Sequence, residues 1–357
     1  MTIVIFIIVL ALLIFVHELG HFLVARWCGI RVDAFALGFG PKIISKKVGE
    51  VTYSLNLIPF GGYVKIFGED PNDENIAGPD KARSFINKPK WQQVCVLFAG
   101  VFFNFLFAWL LICIAFAVGV PASMGSYPQY SDRMENPHIA ITYVNSGSPA
   151  DKAGLKAGDI LLVSSIEEIQ KKIVESMGNP IEIKYKRNEM ESKAIVMAKQ
   201  GITEGKYAVG IAMDNVGILR LPILKSFVES ARLTWNVISG TFSGLYFLFT
   251  KMFYGTANLE TVTGPVGIAG MVGDAARLGF SYLLMFTAII SINLGVLNLV
   301  PFPALDGGRI FFVIIETIIR KPIKPVIANT MNALGFGLLI LLMIVVTYRD
   351  IAKIFVN

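Results

Sequence analysis

IVIFIIVLALLIFVHELGHFLV, Ile3 to Val24, decides the fold, because it is uncharged apart from the motif His17-Glu18-Leu19-Gly20-His21. Its 22 residues are long enough to cross the hydrocarbon of a bilayer as a helix. At about 100° per residue, His17 and His21 project roughly 40° apart, so both imidazoles can reach one metal ion. Glu18 falls about 60° from His21, beside the ion, where its carboxylate can take a proton from the hydrolytic water. A chance HExxH is the plain alternative. It must also explain an ionisable Glu18 in hydrocarbon, at a cost of at least about 2.5 to 3.5 kcal/mol unless the group is paired or used. Zn2+ is the expected cofactor.

Two histidines leave a catalytic zinc one protein ligand short. The chain has three His, and His138 stands in a polar segment remote from any apolar span, as a surface residue would. Tyr282 to Val300 is uncharged and runs into Pro301-Phe-Pro303-Ala-Leu-Asp306-Gly-Gly. Prolines and glycines break the helix there, and irregular backbone at membrane depth persists only where protein or water covers it. Asp306 is therefore the expected third ligand, with a helix-end role as its alternative. Glu316 reads as an interfacial charge near Arg320 and Lys321.

Over 357 residues the chain is 54% hydrophobic and only 16% charged, with mean hydropathy +0.61. The fold class is a polytopic α-helical membrane protein with four transmembrane helices, a β-hairpin and an inserted α+β domain. The expected spans are Ile3 to Val24, Val94 to Val120, Tyr282 to about Ile319 as a broken helix, and about Ala328 to Tyr348. Segment boundaries follow: 1–26 first helix, 27–93 cytoplasmic loop, 94–120 second helix, 121–213 inserted domain, 214–281 amphipathic surface helices, 282–320 broken third helix, 321–357 fourth helix. The loop after the first span carries ten Lys/Arg, so positive-inside places it in the cytoplasm and both termini and the inserted domain outside. A cleavable signal peptide is not expected, because the HExxH motif occupies the would-be h-region. The net charge of +6 does not indicate nucleic acid, since the basic residues are scattered among acids along loops and meet the lipid bilayer instead. Cys28, Cys95 and Cys113 lie in or beside the first two spans, where free thiols are expected rather than disulfides.

Val51 to Leu57 alternates apolar and polar residues before Gly61-Gly62 allows a reversal into Tyr63 to Phe67, which reads as a β-hairpin. Strand-like runs follow at Ile139 to Val144, Ile181 to Lys186, Ala194 to Met197 and Tyr207 to Met213, with a helix expected over Ile166 to Met177. The Ala153-Gly-Leu-Lys-Ala-Gly-Asp159-Ile string among them looks like part of a single, circularly permuted PDZ domain. Such a domain takes a peptide end by strand addition or acts as a steric gate, and the missing Asn-Gly hairpin favours the gate. Pro222 to Gly255 suggests amphipathic helices on the outer membrane surface, with a fifth span over Val237 to Phe253 as the rival. Gly100 and Asn104 in the second span read as packing and polar-contact residues.

With these motifs in hand the chain resembles the site-2 protease family, in particular the bacterial RIP metalloprotease group. The resemblance rests on HELGH, Asn298-Leu-Val-Pro301-Phe-Pro303-Ala-Leu-Asp306-Gly-Gly, Ile58-Pro-Phe-Gly61-Gly62-Tyr-Val-Lys65, Gly264-Pro-Val-Gly267 and the PDZ-like insert. It implies an intramembrane zinc metalloendopeptidase of the bacterial inner membrane, with His17, His21 and Asp306 on zinc and Glu18 as general base. Asn298, Pro301 and Pro303, with a membrane-associated β-hairpin around Gly61 and Gly62, are implied to hold unwound substrate; a peripheral cytoplasmic hairpin is the alternative. That substrate is a transmembrane protein, an anti-sigma factor or the like, already cut once outside. Two other classes compete. A non-catalytic PDZ-bearing receptor would not need Glu18, and a zinc transporter should carry ligands along several spans, whereas the second span here has none.

Overall fold

The computed structural model describes residues 1–69, 77–145, 147–187, 190–203, 206–255, 263–321 and 323–356, by backbone alone at 59–60, 201–203, 206, 325 and 353–356. The apolar N-terminal run forms one helix, α1 (Thr2–Trp27). In lipid the backbone must satisfy its own hydrogen bonds, and a helix does so within the segment. Val9, Leu13, His17, His21 and Ala25 are all buried, so the two histidines continue an inward stripe with a spacing of four.

A cytoplasm-assigned loop becomes a sheet of two long strands, β1 (Val32–Val48) and β2 (Val51–Ile66). The expected pairing of 51–57 with 63–67 does not form. Each of these segments pairs instead with the first part of β1, through Phe35↔Tyr53 and Phe35↔Val64, while the rest of β1 forms a hairpin with β2 from Lys42↔Asn56 to Val48↔Val51. β1 manages this by bending at Gly38 and Gly40, whose φ of +82° and +85° is cheap only for glycine.

Helix α2 (Lys90–Val118) leads into a separate compact unit, Phe116–Pro222. It contains a six-stranded sheet of order β3-β10-β4-β5-β6-β7, from β3 (Val120–Ser123), β4 (Met134–Val144), β5 (Ile160–Leu161), β6 (Pro180–Arg187), β7 (Met190–Met197) and β10 (Ile211–Leu219). β8 (Lys199–Thr203) and β9 (Lys206–Ala208) pair separately, and the helices are α3 (Pro149–Lys152) and α4 (Ile166–Glu175). Ile141, Leu155, Ile169, Ile183 and Val196 centre its apolar core. Ser165 caps α4 by accepting from the Glu168 amide at 3.1 Å, and Glu168 returns to the Ser164 amide at 3.0 Å. Asp159 is 1% exposed. It accepts from the Lys156 amide at 2.8 Å and from Arg187 Nε and a terminal guanidinium nitrogen at 2.6 Å each. The Asp159 carboxylate in turn holds the Arg187 guanidinium above its ordinary range.

The second stretch of the other unit begins with α5 (Ile223–Phe253), one continuous helix. Its buried residues are Ser226, Glu229, Ser230 and Thr234, so its inward stripe is polar where an amphipathic surface helix would bury apolar side chains. Then come α6 (Pro265–Leu278), α7 (Phe280–Leu299), a break, α8 (Asp306–Ile319) and α9 (Pro325–Val356). Among the described residues, four helices are long and apolar enough to cross a membrane: Thr2–Trp27, Lys90–Val118, Phe280–Leu299 and Val326–Ala352. The chain is a multi-pass membrane protein, and α5 is not among these four. The break after α7 is held by protein. Ala304 takes φ +76°, a strain on the order of 1 kcal/mol, and its amide is met by Asn332 Oδ1 of α9 at 3.3 Å.

Candidate metal centre

The break at Val300 to Leu305 sets Asp306 at the first position of α8, facing the histidine stripe of α1. Asp306 Oδ2 lies 3.1 Å from His17 Nε2 and 3.4 Å from His21 Nε2, and the two Nε2 atoms are 3.2 Å apart. Among the described residues this is the one group of three or more His, Cys, Asp or Glu side chains arranged to share an ion, with ligand atoms within 4.8 Å of one another. Asp306 Oδ2 is buried and makes no hydrogen bond of good geometry. A buried acceptor left in that state costs roughly 1–3 kcal/mol, and more when charged. Two imidazole nitrogens and one carboxylate oxygen around a common point are a donor set suited to catalytic zinc, so the residues present fit the metal.

Helix α2 forms the back of the centre. The Val96 carbonyl lies 2.8 Å from His21 Nδ1; because a carbonyl only accepts, Nδ1 carries the proton and the Nε2 lone pair points toward Asp306. One turn on, a Cβ at Gly100 would sit 2.7 Å from His17 Cε1 and collide with His21 Nε2. Asn104, fully buried, follows after another turn, with its amide 3.1 Å from His17 Nδ1. Close approach of α1 and α2 is also set by Gly20, where a Cβ would meet the Ala99 carbonyl carbon at 2.8 Å.

Glu18 sits against the end of β2. The Val64 backbone amide donates to its carboxylate, and a Cβ at Gly62 would lie 3.5 Å from Glu18 Cγ. Gly61, at φ +103°, lies against the Phe39 ring. Arg309, one turn beyond Asp306, pairs with Glu69 and is near enough for its charge to act on Glu18.

The structure thus brings together His17, His21, Asp306, Glu18 and Gly62. Asn298 is half-buried in the last turn of α7, Pro301 is exposed, and Pro303 packs under Gly335 of α9. Among the described residues no hydrogen bond ties the Asn298 side chain to the metal set. His138 is in β4, with Nδ1 at 2.9 Å from the Asn136 carbonyl oxygen. Glu316 pairs with Lys90 at 2.5 Å and accepts from the Ile323 amide at 2.9 Å, so its partner is on α2. Cys28, Cys95 and Cys113 are free thiols. Sequence reasoning missed Val96 and Val64, which act through backbone atoms and leave no residue-type signal. Gly100 and Asn104 did leave one, a small and an amide residue four apart in an uncharged span.

Peptidase family M50 matches residues 5–342 of the chain. A Clostridium perfringens relative that bears a provisional zinc-metalloprotease name is 38% identical over 95% of both chains. One from Clostridium acetobutylicum, named in the same way, is 33% identical over 98% of this chain and 97% of its own. The zinc metalloprotease RasP of Oceanobacillus iheyensis is 28% identical over 99% of each. The chain belongs to peptidase family M50, the site-2 proteases, and is a zinc metalloendopeptidase.

Proposed function

We propose that this protease cuts peptide bonds inside the transmembrane segments of single-pass proteins, using His17, His21 and Asp306 to hold zinc and Glu18 as general base. The observation that carries the reading is the meeting of two histidines, a carboxylate with a buried bare oxygen and a glutamate on helices of the membrane unit. Zinc bound there supplies Lewis acidity toward the scissile carbonyl and acidifies the attacking water. Glu18, aimed by the Val64 amide, takes the proton from that water and delivers it to the leaving amine. The flank of β2 near Gly61 and Gly62 receives the unwound substrate as an added strand, satisfying backbone groups that hydrocarbon cannot. Asn298, Pro301 and Pro303 border the same path. The ten Lys/Arg between Val24 and Val94 favour the cytoplasm of a bacterial cell for that loop and the outside for both termini.

The unit at Phe116–Pro222 serves as a PDZ-like gate that keeps bulky ectodomains from the centre. Reconstituted protein should be given one single-pass substrate, such as an anti-sigma factor, in full-length and externally trimmed forms, and the products mapped by mass spectrometry. Cuts should fall within the hydrophobic segment and favour the trimmed form, with the preference lost when Val120 to Leu219 is excised. Cuts confined to water-exposed loops would overturn the intramembrane reading.

A further inference from the structure

Each imidazole that gives Nε2 to a metal must carry its remaining proton on Nδ1, and that N–H needs an acceptor when buried. His21 has one in the Val96 carbonyl, 2.8 Å away. For His17 the hydrogen-bond partner at Nδ1 among the described residues is the Asn104 amide, 3.1 Å away, fully buried and eight residues beyond Val96 on the same face of α2.

The two orientations of that amide are not equivalent. With Nδ2 toward the ring, Nδ1 must accept, and the proton moves to Nε2, on the side of Asp306 and His21. That arrangement also leaves the buried Asn104 Oδ1 without a partner. With the amide turned, Oδ1 accepts from Nδ1–H and the Nε2 lone pair faces Asp306 Oδ2, 3.1 Å away. We propose that Asn104 is the positioning residue of the metal centre: its side-chain carbonyl fixes His17 in the Nδ1–H form that can ligate, as the Val96 carbonyl does for His21. The inference rests on the metal-centre reading above. It gives α2, which contributes no ligand, the task of orienting both histidines. Ser291 Oγ donates to the Asn104 backbone carbonyl at 2.8 Å, which anchors this turn of α2 to α7.

The test uses the purified full chain in detergent and measures zinc affinity by chelator competition, with helix content and thermal unfolding recorded alongside. Asn104→Leu keeps the volume and removes the acceptor, whereas Asn104→Asp keeps an acceptor oxygen. If Asn104 positions His17, Leu should weaken zinc binding about 10- to 100-fold, and Asp should stay closer to wild type than Leu. A merely packing role predicts the reverse order, since a buried carboxylate disturbs an apolar helix contact more than leucine does. Wild-type affinity in the Leu variant, or an Asp variant at least as impaired as Leu, would overturn the proposal. Should Leu not fold, Asn104→Ala takes its place, with the same loss expected; should that fail too, wild-type-like affinity in the Asp variant supports the proposal and its loss overturns it. A wild-type protein without zinc, or His17→Ala with undiminished affinity, would instead sink the metal-centre reading.

Discussion

Two aspartates with inward-facing carboxylates, one in each compact unit, differ in their surroundings. Both oxygens of Asp159 are hydrogen-bonded, by a backbone amide and two guanidinium nitrogens within 2.8 Å. Asp306 has an oxygen that makes no hydrogen bond and faces two imidazoles at 3.1 and 3.4 Å. A carboxylate with both oxygens hydrogen-bonded holds a fold together. One with a bare oxygen is free for something else, in the reading proposed above a metal. The same contrast separates the units: the inserted sheet closes over an apolar core, while the membrane unit buries His17, His21 and Asn104 among apolar helices.

Substitutions can break that contrast, beginning with the ligands. Asp306→Ala, His17→Ala and His21→Ala should each lower zinc content and abolish cleavage, as read by metal analysis and a peptide assay on the same samples. Normal turnover and full zinc in Asp306→Ala would remove it from the ligand set. Next in size is Glu18→Gln, which should keep zinc yet lose roughly 10² to 10⁴-fold in rate, because an amide cannot accept the proton. Near-normal hydrolysis by that variant would exclude Glu18 as the base.

A smaller effect is expected from Gly100→Ala. The added methyl meets both imidazoles, so zinc affinity should fall while helix content is kept. Gly337→Ala in α9, where a Cβ has open space within 4 Å, should change neither; equal behaviour of the two variants would count against a tight fit at Gly100. Smallest for chemistry is Asp159→Asn. It should destabilise the inserted unit by about 1–3 kcal/mol, seen as earlier unfolding or proteolysis of that unit, with zinc content unchanged. Loss of zinc from this variant would mean that Asp159 is not the purely structural carboxylate described above.

Much of the site was legible because charge is expensive in hydrocarbon. Glu18 and Asp306 stood out as acids within or at the end of apolar runs, and the spacing of His17 and His21 did the rest. The proline-broken segment before Asp306 was legible for a similar reason, since Pro301 and Pro303 cannot continue a helix. The sheet beside Glu18 was read with the wrong pairing. β1 carries three lysines, Lys42, Lys46 and Lys47, and two glycines, Gly38 and Gly40, that mask its alternation, and its bend lets one strand serve two partners, a non-local arrangement that periodicity does not encode. The orienting role of α2 was hidden for a different reason. A carbonyl at Val96 and a missing side chain at Gly100 have no hydrophobicity signature, so the span looked like featureless packing. The polar inward stripe of α5 likewise ran against the expectation that a helix buries its apolar face.

The most direct test follows zinc and hydrolysis together in the purified protein as a chelator removes the metal and zinc is then returned. About one zinc per chain should leave and rebind, and cleavage of a transmembrane peptide should vanish and recover in proportion, while the Asp306→Ala protein recovers neither. Undiminished cleavage by protein stripped of zinc would contradict the account.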